Sequence, residues 1–176
     1  MGGVTKSGAR FNPDKAKWFN EQYLRQLPAA DAIASFRETA GADVFEWPDD
    51  RCMQVLSMML ERVSFMHEVG TQRYLFDAPQ TIDETLVAKK WKPETAGYLQ
   101  QLKIVLGDVT PFESSEIEIA FKAFLNDKEL GFGAVLLPLR LVLTGAGGGP
   151  SMFDFAAFIG RDETLRRIDI GLKKLS

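Results

Sequence analysis

The run from Asp49 to Met66 puts Met53, Val55, Leu56, Met58, Met59, Leu60 and Val63 on several faces of one predicted helix. A helix that is apolar nearly all round must be buried by neighbours, so the chain is expected to build a many-helix body around it. The remaining pattern supplies those neighbours. Asn12 is a suitable N-cap, Pro13 fits the first helical position, and Asp14 favours the positive end of the helix dipole. Trp18, Phe19, Tyr23 and Leu24 then recur at helical spacing. Leu27-Pro28 ends that helix, and a second is predicted from Ala29 to about Thr39, stopped by Gly41.

Further along, Thr81 and Glu84 form a capping box for a short helix ending near Trp91. Pro93 is placed to start a helix reaching about Leu106, with Leu99, Leu102 and Leu106 inward. Ser115 and Glu118 form another box, followed by Ile117, Ala120, Phe121 and Phe124 on a buried face. Strand signals are weak: the apolar piece from Ala134 to Leu143 contains Pro138, which opposes a central strand. Two short helical pieces meeting at that proline are expected instead. The fold class is therefore all-α, a helical bundle or cage of two small helical subdomains, 29–91 and 92–176, divided near Trp91-Lys92-Pro93.

Composition permits this: 45% hydrophobic residues supply a core, and no apolar run approaches the ~20 residues of a membrane span. The N-terminus has no secretory h-region, and Cys52, the only cysteine, leaves no internal disulfide, as expected in a reducing cytoplasm. The single histidine, His67, removes most catalytic arrangements, since no zinc spacing and no nucleophile elbow accompany it. Asp49-Asp50 and Glu116/Glu118 sit where helix starts favour negative charge. The glycine-rich stretch Gly145–Pro150 lacks the lysine and preceding strand of a phosphate loop. It reads as a helix C-cap at Gly145 and a connector, with Pro150 in the first turn of the next helix. No catalytic residue and no metal ligand is assigned.

The motifs also carry a resemblance. Pro138-Leu139-Arg140, then Leu143-Thr144-Gly145, Pro150, and finally Gly160-Arg161 with Thr164-Leu165-Arg166-Arg167 resemble the C-terminal signature of bacterial-type glutamyl-tRNA synthetases. Phe11-Asn12-Pro13-Asp14-Lys15-Ala16-Lys17-Trp18-Phe19-Asn20 resembles the segment entering that family's tRNA-reading half, and Leu60-Glu61-Arg62-Val63 lies between in order. The resemblance implies the C-terminal anticodon-binding region of a class I glutamate–tRNA ligase, with residues 1–28 closing the stem-contact region. It also implies ATP and Mg²⁺ in the parent's catalytic domains and none in this piece. Thr5-Lys6-Ser7-Gly8-Ala9-Arg10 is not taken as the KMSKS loop, because similar strings follow that loop in relatives, and no HIGH motif occurs. The expected partners are a glutamate-specific tRNA anticodon loop and the catalytic domains of the same chain, in a cytoplasmic monomer that engages neither DNA nor membrane.

Residue by residue, the resemblance implies that Arg62 reads the third anticodon base, where its planar fork satisfies two acceptors at once. Arg140 is directed to the first base, or else ties the kink after Pro138 to nearby carbonyls. Pro150 and Met152 correspond to the tip that touches the same base, with Gly149 where relatives often have threonine. Lys122 falls near the middle base, although Glu118 four residues earlier offers it a helix pair. Arg166, Arg167 and Lys173 are candidates for phosphate contact. Their bland alternative is pairing with Asp162, Glu163 and Asp169, and the formal charge of −3 suits a protein-docking helical adaptor as well.

Overall fold

The computed structural model describes residues 12–175; Thr5–Arg10 and Phe11 lie outside the described residues. Among the described residues every regular element is helical. Asn12 caps α1 (Pro13–Gln26) through Oδ1, which accepts from the amides of Asp14 and Lys15 at 3.0 and 3.2 Å. After Leu27-Pro28 comes α2 (Ala29–Ala40), closed by Gly41 and a single 3-10 turn.

The long predicted helix from Asp49 is shorter than expected. α3 (Asp49–Met59) stops, the chain turns through 60–66, and α4 (His67–Thr71) follows. The cause is competition for the backbone. Glu68 Oε2 accepts from the Ser64 and Phe65 amides, so these donors leave the helical ladder. Asn20 also donates to the Ser64 carbonyl, and the Ser64 hydroxyl donates to Glu21 at 2.6 Å. Val63 and Met66 remain buried beyond the helix end, which is why the apolar pattern ran past it.

Capping also differs from expectation at several starts. α5 (Glu84–Lys90) is capped by Asp83, not Thr81, with Leu86 N donating at 2.9 Å. α6 (Thr95–Asp108) starts two residues after Pro93. α7 (Ser114–Asp127) has no side-chain cap; Glu118 pairs with Lys122, while Ser114 Oγ donates to Asp154. α8 (Phe132–Thr144) is one helix through Pro138 rather than two pieces. The proline removes the ladder bond to the carbonyl of Ala134, and Ala134 is exposed, where solvent can replace that bond. Gly145 caps α8 in the left-handed region, as expected. α9 (Met152–Ile159) begins after Ser151, which leaves Pro150 ahead of the cap rather than in the first turn.

α8 is the hub. Its residues Val135, Leu139, Val142 and Leu143 are buried in a core that also takes Phe36, Leu56, Leu102, Phe121, Phe155 and Ile168. α10 (Arg161–Leu175) lies against α8 and α6, α9 against α7 and α3, and α5 against α8. At Gly171 a Cβ would come within 2.4 Å of the Val142 side chain, so only glycine allows α10 this close. Packing thus runs across the Trp91–Pro93 region: α3 touches α9, and the 3-10 turn Arg73–Leu75 touches α8.

Candidate nucleic-acid interface

Tyr74 is the centre of the site. It lies in the Arg73–Leu75 turn, 6% exposed, edge-on to Phe155 with ring centroids 5.4 Å apart. Burial pushes its phenol up to about 12, while the charges of Arg140 and Arg62 pull the other way. The phenol therefore stays protonated and neutral between two cations. Its hydroxyl lies 3.9 Å from the Met59 sulfur, a weak partner.

Arg62 reaches this place from the 60–66 turn. Its amide donates to Met59 O at 2.8 Å and its Nε to Met58 O at 3.2 Å, so the stem is fixed to the last turn of α3. The side chain is exposed, and its terminal nitrogens have no partner among the described residues. Arg140 approaches from α8 and is half-buried. Its Nη1 donates to Pro150 O at 2.9 Å, a backbone carbonyl of the kind the tying alternative names. Burial lowers the Arg140 pKa, Tyr74 raises it, and repulsion from Arg62 lowers it further. It remains charged at any ordinary pH. The two guanidinium groups thus lie close enough to repel each other, and an electron-rich acceptor between them relieves that repulsion.

Gly149 permits this closeness. Its φ is +131°, and a Cβ there would stand 3.2 Å from Tyr74 Oη and 3.4 Å from Arg140 Nη1. Pro150 and Met152 sit beside the cluster but are buried, Met152 being 2% exposed. This corrects the expected apolar contact through the Met152 side chain, which belongs to the core.

The remaining candidates are scattered. Lys122 is exposed on α7 and paired with Glu118 at 2.7 Å, sharing no contact with the Tyr74 cluster. Arg166 is held by Glu163 through two bonds of 2.6 and 2.8 Å. Arg167 is a correction: 1% exposed, it cannot reach a phosphate. Its Nη1 donates to Tyr74 O at 2.7 Å and Leu143 O at 3.0 Å, and its Nε donates to Glu163 at 2.7 Å. Asp169 pairs not within its own helix but with Lys103 of α6, at 2.7 Å. Lys173 is exposed and has no partner among the described residues. The basic run of α10 is thus mostly occupied by the fold.

Sequence reasoning missed Tyr74 because a three-residue 3-10 turn leaves no helical periodicity to read. No group of three or more His, Cys, Asp or Glu side chains gathers among the described residues. No helix among them is long and apolar enough to cross a membrane.

The described residues fall in the class of all-α domains, with the guanidinium groups of exposed Arg62 and half-buried Arg140 near a neutral phenol. Within that class the chain belongs to the anticodon binding domain family, which it matches over residues 16–172. It is 38% identical over 173 residues to a glutamate–tRNA ligase of Flavobacterium johnsoniae, covering 98% of this chain and 34% of the relative. A Cytophaga hutchinsonii glutamate–tRNA ligase is 30% identical over 175 residues, with 98% and 34% covered. Among solved structures, a glutamate–tRNA ligase from Elizabethkingia meningosepticum, in complex with its amino acid, superposes with a TM-score of 0.89. That pair is 33% identical, covering 98% of this chain and 34% of that one. The chain therefore spans about a third of the length of the relatives it matches.

Proposed function

We propose that this chain is the anticodon-reading part of a glutamate–tRNA ligase, binding the anticodon loop of a glutamate-specific tRNA. The observation that carries the reading is the Arg62–Tyr74–Arg140 cluster in a chain of this family. Unstacked loop bases are read along their edges. Arg62 supplies a fork with free terminal nitrogens for one base, and Arg140 with the Gly149-Pro150 backbone flanks another. Tyr74, kept neutral, separates the two cations without cancelling either.

In this reading, residues 1–28 join the tRNA-reading part to the rest of the parent, and the exposed face of Trp18, Phe19 and Tyr23 is offered to it. ATP, Mg²⁺ and the transfer of glutamate belong to the remaining two-thirds of the parent, which acts in the cytoplasm as a monomer. Titration of the chain with glutamate-specific tRNA transcripts over a salt series tests the reading. Anticodon substitutions should weaken binding by roughly tenfold per misread base. Equal retention of every anticodon variant would leave a protein-docking adaptor as the better account.

A further inference from the structure

A cavity of about 550 Å³ opens between α3, the start of α7 and α9, beginning at Met58, one helical turn before Arg62. That volume is within the range of about 300–1,000 Å³ usual for small-ligand sites. Met58, Phe112 and Phe158 form its apolar walls, and Gln54, Glu113 and Asp154 bring polar groups to it. The Gln54 side-chain amide and the Glu113 carboxylate have no partner among the described residues, although Glu113 occupies an N-cap position. One Asp154 oxygen accepts from Ser114, leaving the other open.

No lysine or arginine lines the cavity. The cations nearest its walls are engaged by them: Arg51 stacks on Phe158 at 4.6 Å, and Arg161 stacks on Phe112 at 5.5 Å while donating to Val109 O. A phosphate entering here would meet two carboxylates and no counter-charge, so the backbone of a nucleic acid is excluded. A flat, uncharged group with N–H donors along its edge fits instead. Carboxylates accept from the exocyclic amine of cytosine, whereas uracil presents a carbonyl oxygen at the same point and is repelled.

Resting on the reading that Arg62 meets an RNA loop, we propose that this cavity is the seat of a further loop base, beyond those met by Arg62 and Arg140, and one carrying an exocyclic amine. Phe112 and Phe158 offer it apolar faces, Glu113 and Asp154 accept from its amine, and the Gln54 amide completes its edge.

The test uses the full chain and glutamate-specific tRNA transcripts in which each anticodon-loop base is changed in turn, with affinity measured by fluorescence anisotropy. One position should favour an amine-bearing base over uracil by about tenfold. Glu113→Gln combined with Gln54→Ala should reduce that preference to less than about twofold while leaving the Arg62-dependent position unchanged. Both residues are exposed, so the variant keeps its fold. If Arg62→Gln relaxes a preference and the cavity variant relaxes none, the cavity is not a base seat. If the unaltered chain shows no preference at any loop position, the RNA reading and the seat fall together.

Discussion

Arg62 and Arg167 carry the same guanidinium at two places that use it in opposite ways. At the seam of α8 and α10, Arg167 is 1% exposed and its nitrogens are occupied by two backbone carbonyls and a carboxylate. At the turn between α3 and α4, Arg62 is anchored only through Nε, and its fork is open. What separates an arginine held by the fold from one left open is therefore not its sequence neighbourhood. Leu60-Glu61-Arg62-Val63 and Leu165-Arg166-Arg167-Ile168 are much alike as strings. The difference is whether backbone acceptors lie within reach of the terminal nitrogens. The two regions are also joined: Arg167 holds the carbonyl of Tyr74, the residue that stands between Arg62 and Arg140.

The strongest way to break this contrast is Arg167→Met. It leaves the Tyr74 and Leu143 carbonyls without their donor and Glu163 without one partner, a loss of about 3 kcal/mol. Denaturant unfolding should show the full loss, and a drop below about 1 kcal/mol would mean that water replaces the guanidinium. A smaller effect on the same region comes from acid. The Glu163 carboxyl is held below its ordinary value of 4.5, first by the hydrogen bond from Arg166 and next by that from Arg167, against a desolvation cost. A lowered folded value means that this stabilisation is complete above 4.5 and is lost as the pH falls through the lowered value. Glu163→Gln should flatten that part of the stability profile below pH 4.5, and an unaltered acid slope would show that the pair contributes nothing.

How much of this was readable beforehand depends on the kind of interaction. Buried faces were legible because helical spacing writes them locally: Leu99, Leu102, Leu106, Ile117, Phe121 and Phe124 are all buried. Helix starts were less so: Asp83 takes the cap expected of Thr81, α6 begins at Thr95 rather than Pro93, and α7 begins at Ser114 with no side-chain cap. The end of α3 was invisible because Glu68 takes the Ser64 and Phe65 amides, and Asn20 and Glu21 hold Ser64 from more than forty residues away. The candidate site divides in the same way. Arg62 and Arg140 stand in recognisable strings, whereas Tyr74 joins them only through tertiary packing, and the burial of Arg167 and Met152 depends on which side of α10 and α9 meets the core.

Arg62→Gln sharpens the contrast from the other side. Losing the open fork should cost roughly 1–3 kcal/mol of discrimination at one base, while stability changes by no more than about 0.5 kcal/mol. Competition binding between anticodon variants, alongside thermal unfolding, separates the two. A variant that loses stability but keeps its base preference would move Arg62 into the same category as Arg167.

The smallest expected effect belongs to Lys173. Of the α10 cations Arg161, Arg166, Arg167, Lys173 and Lys174, four are engaged: Arg161 by Val109, the two central arginines by Glu163, and Lys174 by the carbonyls of Pro79 and Gln80 at 2.9 Å. Lys173 alone of these five has no partner among the described residues, on the rim of a groove shared with α6. A point charge of this kind binds a phosphate without reading a base. Lys173→Ala should therefore weaken all anticodon variants equally and reduce the slope of log affinity against log salt by about 1. A slope that does not change would place α10 off the path of the RNA. The interface would then be confined to the Tyr74 cluster and the cavity beside it, where recognition relies on base edges and little on backbone charge, as the acidic balance of the chain favours.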